Sequence, residues 1–175
     1  MDKYFINEEV RVEDSGATRS HGKGERREDY ADVWRDTGNV VLVGLSGSGR
    51  MALAKALAER TGAPVVVPGN AADAAETLSG SGTIIVLNDG LVEDPSVRSR
   101  VHGSGKVFYL MADSNTLSAR VAERDGVEDR EALWRECSAR LALMEPVFYE
   151  VLHFILQAGG TPESVVEDAL EKIAY

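Results

Sequence analysis

The sequence predicts an α/β fold in which a parallel sheet carries helices on both faces, and two observations lead there. Short apolar, β-branched runs alternate along the chain with stretches at helical spacing, the pattern of parallel strands joined by helical crossovers. At residues 39–62 one such run stops at a glycine-rich turn and passes directly into an Ala/Leu-rich stretch. That order aims successive backbone N–H groups and a helix N-terminus at one small volume, where an anion is stabilised. Ligands of open parallel sheets bind at the C-terminal strand ends, and the glycine turn stands at that edge.

The first strand is the run 40–43, and the helix after the turn covers 51–60 and stops at Gly62. Between them the spacing Gly44-x-x-x-x-Gly49 matches the Walker A pattern, but its lysine is Arg50 and its Ser/Thr is Met51. Arg50 keeps the positive charge in a wider, planar shape that does not replace a point charge between two phosphates. Met51 offers a soft thioether where a hard cation requires oxygen. The four small residues from Ser46 through Gly47 and Ser48 to Gly49 let a ligand approach the backbone closely. Gly44, Ser46, Gly47, Ser48, Gly49, Arg50 and Met51 are therefore the candidate nucleotide-phosphate site.

A second buried strand is expected at 63–67, closed by Pro68, Gly69 and Asn70, and a short helix at 71–78. The third apolar run, 83–88, is followed directly by Asp89. A strand ending in aspartate has the form of a Walker B carboxylate, which would hold magnesium, while Asn88-Asp89-Gly90 is equally a strong turn sequence. Asp94 and Pro95 form an N-cap with proline at the first helical position, opening a helix through Val101. A fourth strand follows at 106–111, and Ser114 or Asn115 is expected to cap a helix carrying Leu117 and Val121. Beyond an acidic turn at 125–129 lies the longest helical pattern, in which Trp134, Cys137, Leu141, Met144, Phe148 and Val151 form a core-facing stripe interrupted by Pro146. Residues 151–157 suit a fifth strand or the end of that helix. Thr161, Pro162, Glu163 and Ser164 open the final helix.

Residues 1–37 differ from the remainder: they are rich in charge, have a Ser/Gly-rich centre at 15–24, and hold few apolar positions outside Tyr4, Phe5 and Ile6. They read as a partly flexible N-terminal extension, with a short amphipathic helix at Tyr30, Val33 and Trp34, ahead of a domain at 38–175. The 175-residue chain carries a net charge of −10 and has a pI near 4.8, which argues against binding to nucleic acid or to an anionic membrane. Cys137 is the single cysteine, so an intrachain disulfide is excluded and a reducing compartment is indicated. No apolar run reaches the length needed to span a bilayer, and a cytoplasmic location is expected.

Residues 39–62, Asp94-Pro95 with Arg98, Leu117-x-x-Arg120-Val121, Pro146-Val147-Phe148-Tyr149-Glu150-Val151 and the stretch 161–168 together resemble shikimate kinases, over about residues 38–174. The resemblance implies a five-stranded parallel P-loop kinase fold with a lid, which transfers the ATP γ-phosphoryl group to a shikimate hydroxyl using magnesium. It also locates departures. The glycine cradle agrees at Gly44, Gly47 and Gly49, whereas the family's paired aspartates fall at Val67 and Gly69. A substrate arginine falls at Met144, and of the family's triple glycine only Gly90 remains in 88–90. The family's lid arginines have Arg124 and Arg130 as their nearest counterparts, beside a turn that is much shorter. Losing two arginines and an aspartate, each worth about 1.5 to 3 kcal/mol, removes useful shikimate affinity.

Three readings follow. One is a P-loop protein with a degenerate Walker A that binds ATP or ADP, or another phosphate, as a sensor, regulator or partner subunit, without efficient shikimate kinase activity. In it the loss of the lysine and the hydroxyl argues against bound Mg2+. Another is an active ATP-dependent small-molecule kinase in which Arg50 replaces the lysine and Asp89 holds the metal. The last is an interaction module without nucleotide, docking a protein partner.

Overall fold

The computed structural model describes residues 35–175. The expected helix around Tyr30 and Trp34, and the extension up to residue 34, lie outside the described residues. Five strands form one sheet: β1 (Val40–Val43), β2 (Val65–Val66), β3 (Ile84–Val86), β4 (Lys106–Met111) and β5 (Phe154–Gln157). Their order is β2-β3-β1-β4-β5 and every neighbouring pair is parallel. All four residues of β1 are buried, as a central strand covered on both faces requires.

Seven helices connect and cover the sheet: α1 (Arg50–Thr61), α2 (Ala71–Leu78), α3 (Asp89–Glu93), α4 (Pro95–Val101), α5 (Ser114–Asp125), α6 (Arg130–Val151) and α7 (Pro162–Ile173). Helix α1 packs against α7, while α6 packs against both α5 and α3. None of the described helices is long and apolar enough to cross a membrane.

The N-terminal ends of three strands are tied by one buried side chain. Asn39 donates from Nδ2 to the carbonyls of Gly80 at 2.9 Å and Ser104 at 3.0 Å, and its Oδ1 accepts from the Thr83 backbone N–H at 3.0 Å and the Thr83 hydroxyl at 2.9 Å. This amide is only 2% exposed, so its own donors and acceptor depend on these partners for satisfaction. The strands therefore start in fixed register, and their opposite ends present the loops of the cleft.

Several local expectations are corrected. Residues 88–90 are not a free turn: Asn88 caps α3, its side chain accepting from the Leu91 N–H at 2.8 Å, and Asp89, just beyond the end of β3, is the first helical residue. The cap of α5 is Asp113, which accepts from Thr116 N–H at 2.8 Å, and not Ser114 or Asn115. Helix α6 continues through Pro146 to Val151, and β5 begins at Phe154, so 151–157 contains both a helix end and a strand. On the predicted stripe Met144, Phe148 and Val151 are buried, whereas Trp134 is 42% exposed because the stripe runs past the edge of the core. Cys137 is partly buried, and burial pushes its thiol pKa up.

Tyr109 on β4 is 1% exposed, and its hydroxyl is buried without a hydrogen-bond partner among the described residues. Burial, with smaller contributions from Glu145 and Tyr149, pushes its pKa up to about 12. Between the ordinary tyrosine value near 10 and about 12, the unfolded chain loses this proton and the folded chain keeps it. Stability is therefore retained below about pH 10 and falls by about 2 to 3 kcal/mol as the pH rises to about 12. Urea titrations across this range are expected to show the decline in the native chain and a smaller one in Tyr109→Phe.

Candidate functional site

The turn after β1 is shaped by three glycines. Gly44 (φ 151°), Gly47 (φ 87°) and Gly49 (φ 89°) all occupy the positive-φ region. At Gly47 space is also decisive: a Cβ would stand 2.7 Å from the carbonyl oxygen of Leu117, so α5 is pressed against the loop backbone. Gly49 is the left-handed residue preceding α1, a helix that has neither a side-chain cap nor an acidic residue in its first turn. Its first N–H groups keep their partial positive charge facing the cleft. Ser48 is 2% exposed, and its hydroxyl, buried in the loop, has no hydrogen-bond partner among the described residues.

Three arginines surround the loop. Arg124, at the C-terminal end of α5, donates to the Ser46 hydroxyl at 3.1 Å and forms a two-point ion pair with Asp125, both contacts 2.7 Å. Its hydrogen bonds to Asp125 raise its pKa. Arg50, the first residue of α1, donates to the carbonyl of Leu87 just beyond β3. Burial lowers its pKa, the nearby Asp89 opposes that, and Arg124 adds repulsion; a guanidinium stays charged at neutral pH regardless. Arg120 donates to the carbonyls of Gly47 at 3.3 Å and Ala158 at 2.8 Å, joining the loop to the turn after β5. Beside it, a largely apolar cavity of about 320 Å³ runs between α1 and α7, with Gly49, Ala52, Ala56, Pro162 and Val166 among its walls.

Asp89 faces the other side of the loop. Its Oδ2 accepts from Arg140 Nε at 2.7 Å, and Arg140 Nη2 reaches Glu93 Oε2 at 2.7 Å. Asp89 and Glu93, one turn apart on α3, thus close on a single guanidinium of α6. One turn further along α6, Met144 is buried in the core.

The structure therefore brings Gly44, Ser46, Gly47, Ser48, Gly49, Arg50 and Arg124 around one volume, with Asp89 at its margin. Met51 is 40% exposed and supplies no oxygen. Arg130 lines a separate hollow between α5 and α6 with Asn115 and Trp134, whose walls include no residue of the loop. Val67 and Gly69 are exposed beyond β2 and bring no carboxylate. Arg120 and Arg140 are the site residues that sequence reasoning gave no role. A signal for Arg140 existed, since it precedes Met144 by one helical turn and so shares its side of α6.

The residues present fit an anion: the glycine cradle, the uncapped helix start and two cations converge there. For the magnesium that the resemblance implies they offer fewer ligands. Met51 supplies no oxygen, and one Asp89 oxygen is held by Arg140.

Comparison with known proteins agrees with the architecture. The family model for shikimate kinase matches residues 71–174, a span that begins after the loop and α1. Shikimate kinase 2 of Yersinia enterocolitica is 27% identical over 168 residues, covering 79% of this chain and 97% of that protein. Shikimate kinase 2 of Syntrophotalea carbinolica is 30% identical over 104 residues, 57% of this chain and 60% of that protein. Among solved structures, shikimate kinase from Bacteroides thetaiotaomicron superposes with a TM-score of 0.69 at 18% identity, covering 78% of this chain and 98% of that one. Shikimate kinase from Acinetobacter baumannii in complex with shikimate gives 0.66 at 19%, covering 78% and 92%. A gluconokinase from Sinorhizobium meliloti gives 0.57 at 21%, covering 80% and 93%. At these identities the structural likeness concerns the fold.

The loop geometry makes Gly47→Ala a direct test of the cradle. The added methyl meets a backbone carbonyl and forces a positive φ, so a loss of about 1 to 3 kcal/mol in stability is expected. Urea unfolding measures it, and Gly62→Ala, positive in φ but open in space, is expected to lose less.

Proposed function

The chain belongs to the shikimate kinase family, and from the way its site departs from a kinase site we propose that it binds a nucleotide or another phosphate compound at the 44–51 loop without efficient phosphoryl transfer to shikimate. The observation that carries this reading is the contrast between the two sides of the cleft. On the phosphate side, the glycine cradle, the start of α1, Arg50 and Arg124 offer convergent donors, and the apolar cavity beside Arg120 suits the flat face of a base. On the acceptor side, charged groups that would recognise a hydroxylated carboxylate are absent at Val67, Gly69 and Met144, and Arg140 is engaged by Asp89 and Glu93.

Phosphoryl transfer relies on positioned cations that take up charge developing on the transferred group. Arg50 donates to the Leu87 carbonyl and Arg124 pairs with Asp125, so both must turn before they can clamp a γ-phosphate. Binding tolerates such looseness, whereas a rate does not: a misplacement of about 1 Å can cost about a hundredfold. A role as a ligand-sensing or partner subunit follows. The second reading, an active ATP-dependent kinase of a small hydroxyl compound, is favoured by the 27% identity that extends over 97% of a relative named as a shikimate kinase.

Two measurements separate these readings. Titration calorimetry with ADP and ATP is expected to show binding in the micromolar range, and its loss on replacing Arg124 and Arg50 together by alanine. A coupled assay of ADP release is expected to show no shikimate-dependent signal. Turnover at about 1 to 100 per second, the ordinary kinase range, would establish the second reading instead.

A further inference from the structure

A carboxylate beside the phosphate loop, Asp89, is already compensated by a cation of the protein. Arg50 donates to the carbonyl of Leu87, and Asp89 opens α3 two residues later, so an anion held by Arg50 also experiences the negative charge of Asp89. In a site built for a chelated nucleotide, a divalent cation bridges such a carboxylate and the phosphate oxygens and removes the repulsion. Here a guanidinium is bonded to it: Arg140 Nε stands 2.7 Å from Asp89 Oδ2, in the orientation of a charge-assisted hydrogen bond. The two side chains are 30% and 25% exposed, so salt screens this pair less than an open surface pair. Glu93 Oε2, 2.7 Å from Arg140 Nη2, fixes the guanidinium from its other end. Unlike a metal, this cation cannot dissociate from the fold, and unlike lysine it does not lose its proton on partial burial.

We infer that Arg140 serves the phosphate site as a built-in counter-cation for Asp89, so that the site takes metal-free nucleoside di- and triphosphates in preference to their magnesium chelates. The inference rests on the reading of the loop as a phosphate site. Arg140 touches neither loop nor ligand in this arrangement; it is a positioning residue that acts through Asp89. Met51 agrees, since the position after Arg50 offers a thioether and not a hydroxyl to a metal. The remaining donors, Arg50, Arg124 and the start of α1, favour the more highly charged free polyphosphate over the partly neutralised chelate.

The test is titration of ADP into the full chain, in EDTA and in excess magnesium. The native chain is expected to bind at least as tightly in EDTA. Arg140→Met leaves Asp89 uncompensated beside the ligand; on the order of tenfold weaker binding in EDTA is expected, with recovery in magnesium. Asp89→Asn, which removes the charge while keeping the shape, is expected to bind without loss and without any response to the metal. In Asp89→Asn with Arg140→Met, the magnesium response of the single Arg140→Met variant should vanish. The Asp89→Asn arm and the native chain decide the matter even if Arg140→Met fails to fold. Native binding that needs magnesium would overturn the role given to Arg140 while leaving the phosphate site intact. A folded Arg140→Met with native affinity in EDTA would also overturn it. No binding of ADP under either condition would overturn the phosphate site itself, and this inference with it.

Discussion

The approach of α5 to the turn after β1 governs the geometry of the cleft. Because residue 47 has no side chain, the Leu117 carbonyl lies where a methyl group would be, and the helix comes down onto the loop backbone. That contact lets Arg120, one turn later, reach the Gly47 carbonyl and Arg124, a further turn on, reach Ser46. Three consecutive turns of one helix thus contact a single loop, through backbone, guanidinium and guanidinium. A larger residue at 47 would lift the helix and withdraw both arginines at once.

The charge pattern is local and runs against the molecule's average. A chain of net charge −10 gathers Arg50, Arg120, Arg124 and the unshielded start of α1 on one edge of the sheet. Long-range attraction of polyanions is therefore weak, and affinity depends on short contacts inside the cleft. Across from these cations, Asp89, Arg140 and Glu93 alternate in sign and join α3 to α6. The same ion pairs hold two helices together and occupy polar groups that an acceptor would otherwise meet. Removing one member leaves the others partly desolvated and unpaired, which is more costly than never having had the set.

Most of the fold was legible because it depends on short-range signals. Runs such as 40–43 and 106–111 declare buried strands, and Asp94-Pro95 and Thr161-Pro162 declare helix starts. The misread segments are those where two local signals compete. Asn88-Asp89-Gly90 satisfies turn and helix-cap chemistry alike, and only the packing of Leu91 and Val92 into the core decides for the helix. Asp113 outcompeted Ser114 as a cap although either could supply an oxygen. The loop's position and Arg124's proximity to it could be anticipated from spacing and resemblance, but the pairing of Asp89 with Arg140 could not. It spans 51 positions of sequence, and which of many arginines meets a given carboxylate is set by how α6 lies across α3.

The connection from α5 to α6 consists of Gly126 to Asp129, four residues between two helices. Loops that fold over a bound molecule are typically longer than such a connection. On the proposed reading of the loop as a phosphate site, a connection of four residues adds little to the barrier for release, and residence time follows from the contacts themselves. Occupancy in such a site relaxes as fast as the ligand dissociates and follows changes in concentration without lag. A catalyst of phosphoryl transfer needs the opposite, a compartment that keeps water from competing for the phosphoryl group. If the loop is the phosphate-sensing site proposed above, the brevity of four residues favours prompt reporting over retention.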